Sequence, residues 1–157
     1  MSEFEPTAWT DEMSVGVEAI DKDHKKLLSL LNEMEYIIDA DVASKKGAIE
    51  SVLLELIDYT TYHFNREEIL MEACGYPELE IHKRVHETLK GQVQSIMNSF
   101  RQKSPSYDPN AIRIFLKDWL VEHILGMDKN YELWMQEQID VIEKVNTKYE
   151  SERPGTN

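Results

Sequence analysis

A chain of 157 residues, 41% apolar and 30% charged, has room for one domain with a buried core. Its net charge of −13, with 17 Lys+Arg spread along the chain, disfavours nucleic acid and anionic membranes, which need clustered cations. No apolar run approaches the roughly 20 residues that span a bilayer, the acidic start MSEFEPTAWTDEM lacks a signal peptide's basic and apolar parts, and the lone Cys74 can form no internal disulfide, so a cytoplasmic protein is expected.

The first predicted element starts near Asp21, with apolar residues or histidine at 24, 27, 28, 31, 34 and 38. The second starts near Ser44 and repeats the pattern at 49, 52, 53, 56, 59, 63 and 70. The third follows Pro77, at 79, 82, 86, 89, 93, 97 and 100. The fourth follows Pro109, at 112, 115, 116, 119, 120 and 123. Steps of three and four mark amphipathic helices rather than strands. CGYP reads as a glycine stop with a proline restart, and Asp108-Pro109 as an N-cap with proline at the first helical position. Short connections predict an all-α, up-down-up-down antiparallel four-helix bundle. A fifth stripe, Tyr131, Trp134, Met135, Ile139, Ile142, Val145 and Tyr149, either prolongs the fourth helix or folds back. Packing surface is its bland role, and a contact for a second copy or a protein partner its sharper one. Residues 1–157 are expected to form one domain, with an N-terminal arm, a bundle core over about 20–128 and a helical extension over about 129–150.

All five histidines fall on apolar stripes: His24, His63, His82, His86 and His123. A lone core histidine usually has a hydrogen-bond partner, but each of five would need one, at about 1–3 kcal/mol if it stayed unpaired. A metal partners them all. HKRVH puts two imidazoles one turn apart, and HFNRE an imidazole and the Glu67 carboxylate. With Asp128 the inventory reaches seven ligands, too many for one ion and suited to two that share carboxylates. There is no H-E-x-x-H, no paired E-x-x-H, no cysteine set for a cluster and no G-x-S-x-G nucleophile.

With these pieces in place, WTDEMSVGVEAIDKDHKKL, YHFNREEILMEACGYP, HKRVHETL and WLVEHILGMD resemble the bacterial branch of the hemerythrin family over Trp9 to Asp128. The resemblance implies a bundle around two iron ions, an oxo- or hydroxo-bridged non-haem di-iron centre. It implies that His82, His86 and His123 hold one iron and His24 and His63 the other, with Glu67 and Asp128 bridging. Dioxygen would bind end-on at the iron with two histidines, in a dry pocket that resemblance and helix phase assign to Leu27, Phe64, Trp119, Leu120 and Ile124. The expected function is reversible oxygen binding for carriage, storage or supply, without catalysis. The alternatives are a module sensing oxygen, nitric oxide or iron, and a di-iron enzyme processing peroxide or nitric oxide.

The remaining expectations are modest. Cys74, Met71 and Met97 are core residues, and the REE run is a solvated face apart from Glu67. Asp21 caps the first helix or orients His24. The spacing of His123 and Asp128 is the odd one, because residues five apart on an α-helix point roughly 140° apart. A bridging Asp128 therefore predicts irregular backbone between them: a π-bulge that Gly126 could relax, or an end or bend of the helix.

Overall fold

The computed structural model describes residues 6–40, 45–102 and 109–152, and the elements below belong to them. Four helices carry the fold: α1 (Glu18–Asp39), α2 (Lys45–Ala73), α3 (Leu79–Arg101) and α4 (Pro109–Glu122). α1 packs on α2 and α4, and α2 on α3, as an antiparallel bundle. No strand occurs among the described residues, and none of their helices is long and apolar enough to cross a membrane.

The stripes are what pack. On α1, Ile20, His24, Leu27, Leu28, Leu31, Met34 and Ile38 are all buried. Each apolar member contributes roughly 1.5–3 kcal/mol by leaving water. The stop of α2 is a glycine cap. Gly75 takes φ +69, the Tyr76 N–H donates to Met71 O at 3.0 Å, and the Gly75 N–H donates to Glu72 O at 3.1 Å. Tyr76 then packs in the same apolar cluster as Met71 and Cys74, and these two donors close the helix end. Pro109 opens α4, while Asp108 and Ser44 lie outside the described residues.

The arm over residues 6–17 contains a 3-10 turn at Asp11–Met13 and buries Met13, Val15 and Val17. Asp21 corrects one expectation. It neither caps α1 as its N-cap residue nor orients His24. It reaches back from the first turn of the helix, accepting from the Val15 N–H at 2.9 Å and from the Ser14 hydroxyl at 2.5 Å.

Beyond Glu122 the α4 spiral widens. His123–Met127 form a π-helical turn closed by the Asp128 N–H on His123 O, and Asp128–Tyr131 then tighten into a 3-10 turn. Gly126 is not what relaxes it. Its φ is not in the left-handed region, and an added Cβ would meet no atom within 4 Å. The chain continues as α5 (Glu132–Gln136), breaks at Gln138, and returns as α6 (Ile139–Ser151) packed on α2. The extension therefore folds back. Tyr131, Met135 and Ile142 are buried as expected, but Trp134, beside Met135 on α5, is 41% exposed, with its ring centroid 6.2 Å from that of Tyr76.

The candidate metal centre

Along each helix the polar site residues fall between two apolar clusters. One cluster runs through Leu27, Phe64, Trp119, Leu120 and Ile124, and the other through Ile20, Leu70, Met71, Tyr131 and Ile142. Between them lie His24 from α1, His63 and Glu67 from α2, His82 and His86 from α3, and His123 and Asp128 across the π turn. None is more than 7% exposed, and His123 is the most exposed of the set.

The structure brings all seven together. The ligand atoms of Glu67, His82, His86, His123 and Asp128 lie within 4.8 Å of one another, and so do those of His24, His63, Glu67 and Asp128. The two carboxylates belong to both groups. Asp128 divides its oxygens: Oδ2 is 2.9 Å from His24 Nε2, while Oδ1 is 3.1 Å from His82 Nε2 and 3.0 Å from His123 Nε2. Glu67 turns Oε1 towards His63 Nε2 at 2.7 Å and His86 Nε2 at 3.6 Å, and its Oε2 accepts from the Tyr131 hydroxyl at 2.5 Å.

His86 Nε2 and His123 Nε2 are within hydrogen-bond reach at 3.3 Å, but most close approaches here are not hydrogen bonds. His24 Nδ1 and Nε2, His63 Nε2, Glu67 Oε1, His82 Nδ1 and Nε2, and both Asp128 oxygens are buried without a hydrogen-bond partner of acceptable geometry. The atoms are near one another but aimed past one another. Each unpaired group would cost about 1–3 kcal/mol, and a cation between them would satisfy the inward atoms, His24 Nε2, His63 Nε2, Glu67 Oε1, His82 Nε2 and the Asp128 oxygens, though not Nδ1 of His24 or His82. The donor chemistry of imidazole nitrogen and carboxylate oxygen fits a divalent transition metal.

Charge follows the same plan. Burial works against the Asp128 carboxylate, yet His123, His24 and His82 hold it well below the usual range. Burial and Asp128 both oppose ionisation of Glu67, and the His63 and His86 imidazoles outweigh them. Burial pushes His86 down to about 3, which leaves its ring neutral, the form that ligates. His63 goes the other way. Burial opposes its charge, but Glu67 and Asp23 push it up to about 10, so an incoming metal must displace a proton there.

Two imidazoles are held from behind. His63 Nδ1 lies 2.8 Å from Asp23 Oδ2, and His86 Nδ1 lies 2.8 Å from Glu68 Oε2. With a carboxylate on Nδ1, each ring turns Nε2 inward. Asp23 is in turn held by the Tyr59 hydroxyl at 2.7 Å and by Arg66 Nε at 2.8 Å. The REE run is therefore not a solvated face. Arg66 is buried and Glu68 is half-buried against His86. Asp23, Arg66, Glu68 and Tyr131 are the residues that sequence reasoning missed. The one available signal was Tyr131, one turn beyond Asp128.

The expected pocket residues Leu27, Phe64, Trp119, Leu120 and Ile124 are all buried in one cluster. Phe64 lies flat on His86, with ring centroids 3.7 Å apart and planes 5° apart, and its edge neighbours are His123 and Trp119. Outside this cluster a cleft of about 630 Å³ separates α3 from α4. Val85, Leu89, Phe115 and Trp119 line it, and it reaches His123.

A helical bundle that buries histidines and carboxylates around shared ligand positions defines a metalloprotein of the four-helix class. Residues 15–133 match the family model of the hemerythrin HHE cation binding domain. The bacteriohemerythrin of Stenotrophomonas maltophilia (strain R551-3) is 35% identical over 123 residues, which cover 78% of this chain and 77% of that one. That of Clostridium acetobutylicum is 31% identical over 128 residues, covering 78% and 96%. The crystal structure of wild-type hemerythrin superposes with a TM-score of 0.73 at 29% identity, covering 82% of this chain and 97% of the other. The chain belongs to the hemerythrin family. Membership implies non-haem iron binding, and the buried cluster is suited to hold the metal.

Proposed function

We propose that the chain binds dioxygen reversibly at a di-iron centre, as a carrier, store or supplier of oxygen rather than as an enzyme. In this reading His82, His86 and His123 hold one iron, His24 and His63 hold the other, and Glu67 and Asp128 bridge them. The observation that carries it is the sharing of Glu67 and Asp128 between both ligand groups, with the Asp128 oxygens divided between the two sides. His24 and His63 would hold their metal with one histidine fewer than the other side has. A di-iron centre held by the seven residues would supply the electrons that reversible dioxygen binding uses.

The protein's part is to hold and to exclude. Two carboxylates offset the charge of two cations in an apolar core. Asp23 and Glu68 fix the ring orientations of His63 and His86, and the Tyr131 hydroxyl fixes the Glu67 carboxylate. Leu27, Phe64, Trp119, Leu120 and Ile124 keep water from the site, and with it the proton source that would promote irreversible oxidation. Residues 1–157 act as one domain in this reading, supported by the packing of α6 against α2. The test is an iron count followed by anaerobic reduction, addition of O₂ and its removal. Two irons per chain and a charge-transfer absorption that appears and disappears with O₂ are expected. Stoichiometric zinc, or oxidation that removal of O₂ does not undo, would overturn the proposal.

A further inference from the structure

Helix α6 lies beyond residues 15–133, the part of the chain that matches the family domain, yet its polar face is joined to the candidate metal centre through two side chains. The link is Arg66, which is 4% exposed. Its Nε donates to Asp23 Oδ2 at 2.8 Å, its Nη2 to the Tyr62 hydroxyl at 2.7 Å, and its Nη1 to Glu150 Oε1 at 3.0 Å and to Asn146 Oδ1. Asn146 and Glu150 are one turn apart on α6 and are themselves joined, Asn146 Nδ2 donating to Glu150 Oε1 at 2.9 Å. The Arg66 guanidinium also lies over the rings of Tyr62 and Tyr149, 4.9 and 5.4 Å from their centroids, and the Tyr149 hydroxyl donates to Tyr62 O at 2.7 Å.

Asp23 Oδ2 is the shared acceptor. It takes Arg66 Nε on one side and faces His63 Nδ1 on the other, both at 2.8 Å. Glu150 keeps 53% of its side chain in solvent, but with Asn146 and the rings of Tyr62 and Tyr149 also on it the buried guanidinium is restrained against the carboxylate that orients the ring. These contacts are separable from the docking of α6 itself, which rests on buried Ile142 with Ile139 and Val145 packed in the apolar cluster.

We infer that α6 is a positioning element for the metal centre: Asn146 and Glu150 hold Arg66, Arg66 holds Asp23, and Asp23 sets the His63 imidazole, so that the C-terminal helix governs one metal of the pair and not the other. The inference rests on the di-iron reading above. It gives the extension a specific task, since the Asn146 and Glu150 hydrogen bonds lead through Arg66 to Asp23 and His63, whereas α6 meets the three-histidine side through the apolar packing of Ile142 with Tyr131, the ring neighbour of His82.

The test is the Asn146→Ala/Glu150→Gln double variant in the full chain, loaded with iron, with Lys144→Ala on the exposed face of α6 as control. Amide hydrogen exchange across α6 reports whether the helix stays docked. A chelator added to the reduced, anaerobic protein reports iron release, with one phase expected per metal. Replacing the direct support of a metal-bound histidine typically changes metal affinity about 10–100-fold, and a residue two contacts further out is expected to speed one phase about 3- to 10-fold and leave the other unchanged. In an Asp23→Asn background the same α6 substitutions should add nothing. Equal acceleration of both phases, no acceleration with α6 docked, or full additivity with Asp23→Asn overturns the inference. If the double variant undocks α6, Glu150→Gln alone keeps an acceptor in place, and a smaller shift in the same single phase is required. If the wild-type protein holds no iron, the di-iron reading fails by itself. The link is then read in the metal-free protein from the ring ¹⁵N signals of His63. The double variant must shift them, and unchanged signals overturn the inference.

Discussion

His63 and His86 each present Nδ1 to a carboxylate at 2.8 Å, and there the likeness ends. Asp23, behind His63, is 2% exposed and backed by Tyr59, Arg66 and a helix laid across them. Glu68, behind His86, keeps 19% of its side chain in solvent, and the neighbouring His123 borders an open cleft. Burial opposes the charge of both carboxyls. For Asp23 the His63 ring, Tyr59 and Arg66 overcome it and leave the carboxyl below its ordinary value, whereas Glu68 stays above its own. The same distance therefore means different things. Water competes for Glu68 and screens it, while Asp23 acts in a low dielectric where a charged hydrogen bond keeps its strength. On the di-iron reading, the side with three histidines would tolerate a loose support better than the side with two.

The largest effect should come from removing what the two sides share. Glu67→Ala or Asp128→Ala is expected to lose both metals, read as iron per chain. Retention of one tightly held iron would show that the carboxylates are not shared. Next comes the contrast itself. Asp23→Asn should weaken metal retention about 10–100-fold, the usual cost of losing such a support, and Glu68→Gln by no more than about 3-fold because solvent already competes there. Equal losses in metal titrations would erase the distinction. Tyr131→Phe leaves Glu67 Oε2 without its donor and should lower unfolding stability by about 1–2 kcal/mol in chemical denaturation, with both metals kept. The smallest effect is a gain. Gly126→Ala, at a helical position with room for a methyl, should stabilise by about 0.5–1 kcal/mol without altering either side.

The bundle was legible because its stripes are regular, and the seven converging residues because five histidines on apolar faces had no bland explanation. Even the backbone irregularity between His123 and Asp128 followed from requiring both to face inward. What stayed hidden was the tertiary support. Asp23 meets His63 across 40 positions of sequence and meets Arg66 across 43, on a different helix, where no periodicity connects them. Arg66 and Glu68 looked solvated because charged runs usually are. Arg66 is covered on one side by α6, and whether the extension folds back or runs on was open from the letters alone. The break at Gln138, where the chain turns back, has no glycine or proline to mark it.

The π turn carries a consequence for how this chain can change. One surplus residue in a helix rotates everything downstream by about 100° relative to a straight continuation. The turn that presents Asp128 therefore also sets the azimuth at which Tyr131 meets Glu67 and from which the chain sets out towards α2. Between His123 and Asp128 the identity of the exposed residues is nearly free, as the room around Gly126 shows. Their number is not. Losing a single residue there would turn the last carboxylate away from the histidines and misdirect the helix that packs over Arg66, so two distant features of the protein are inherited together through one count.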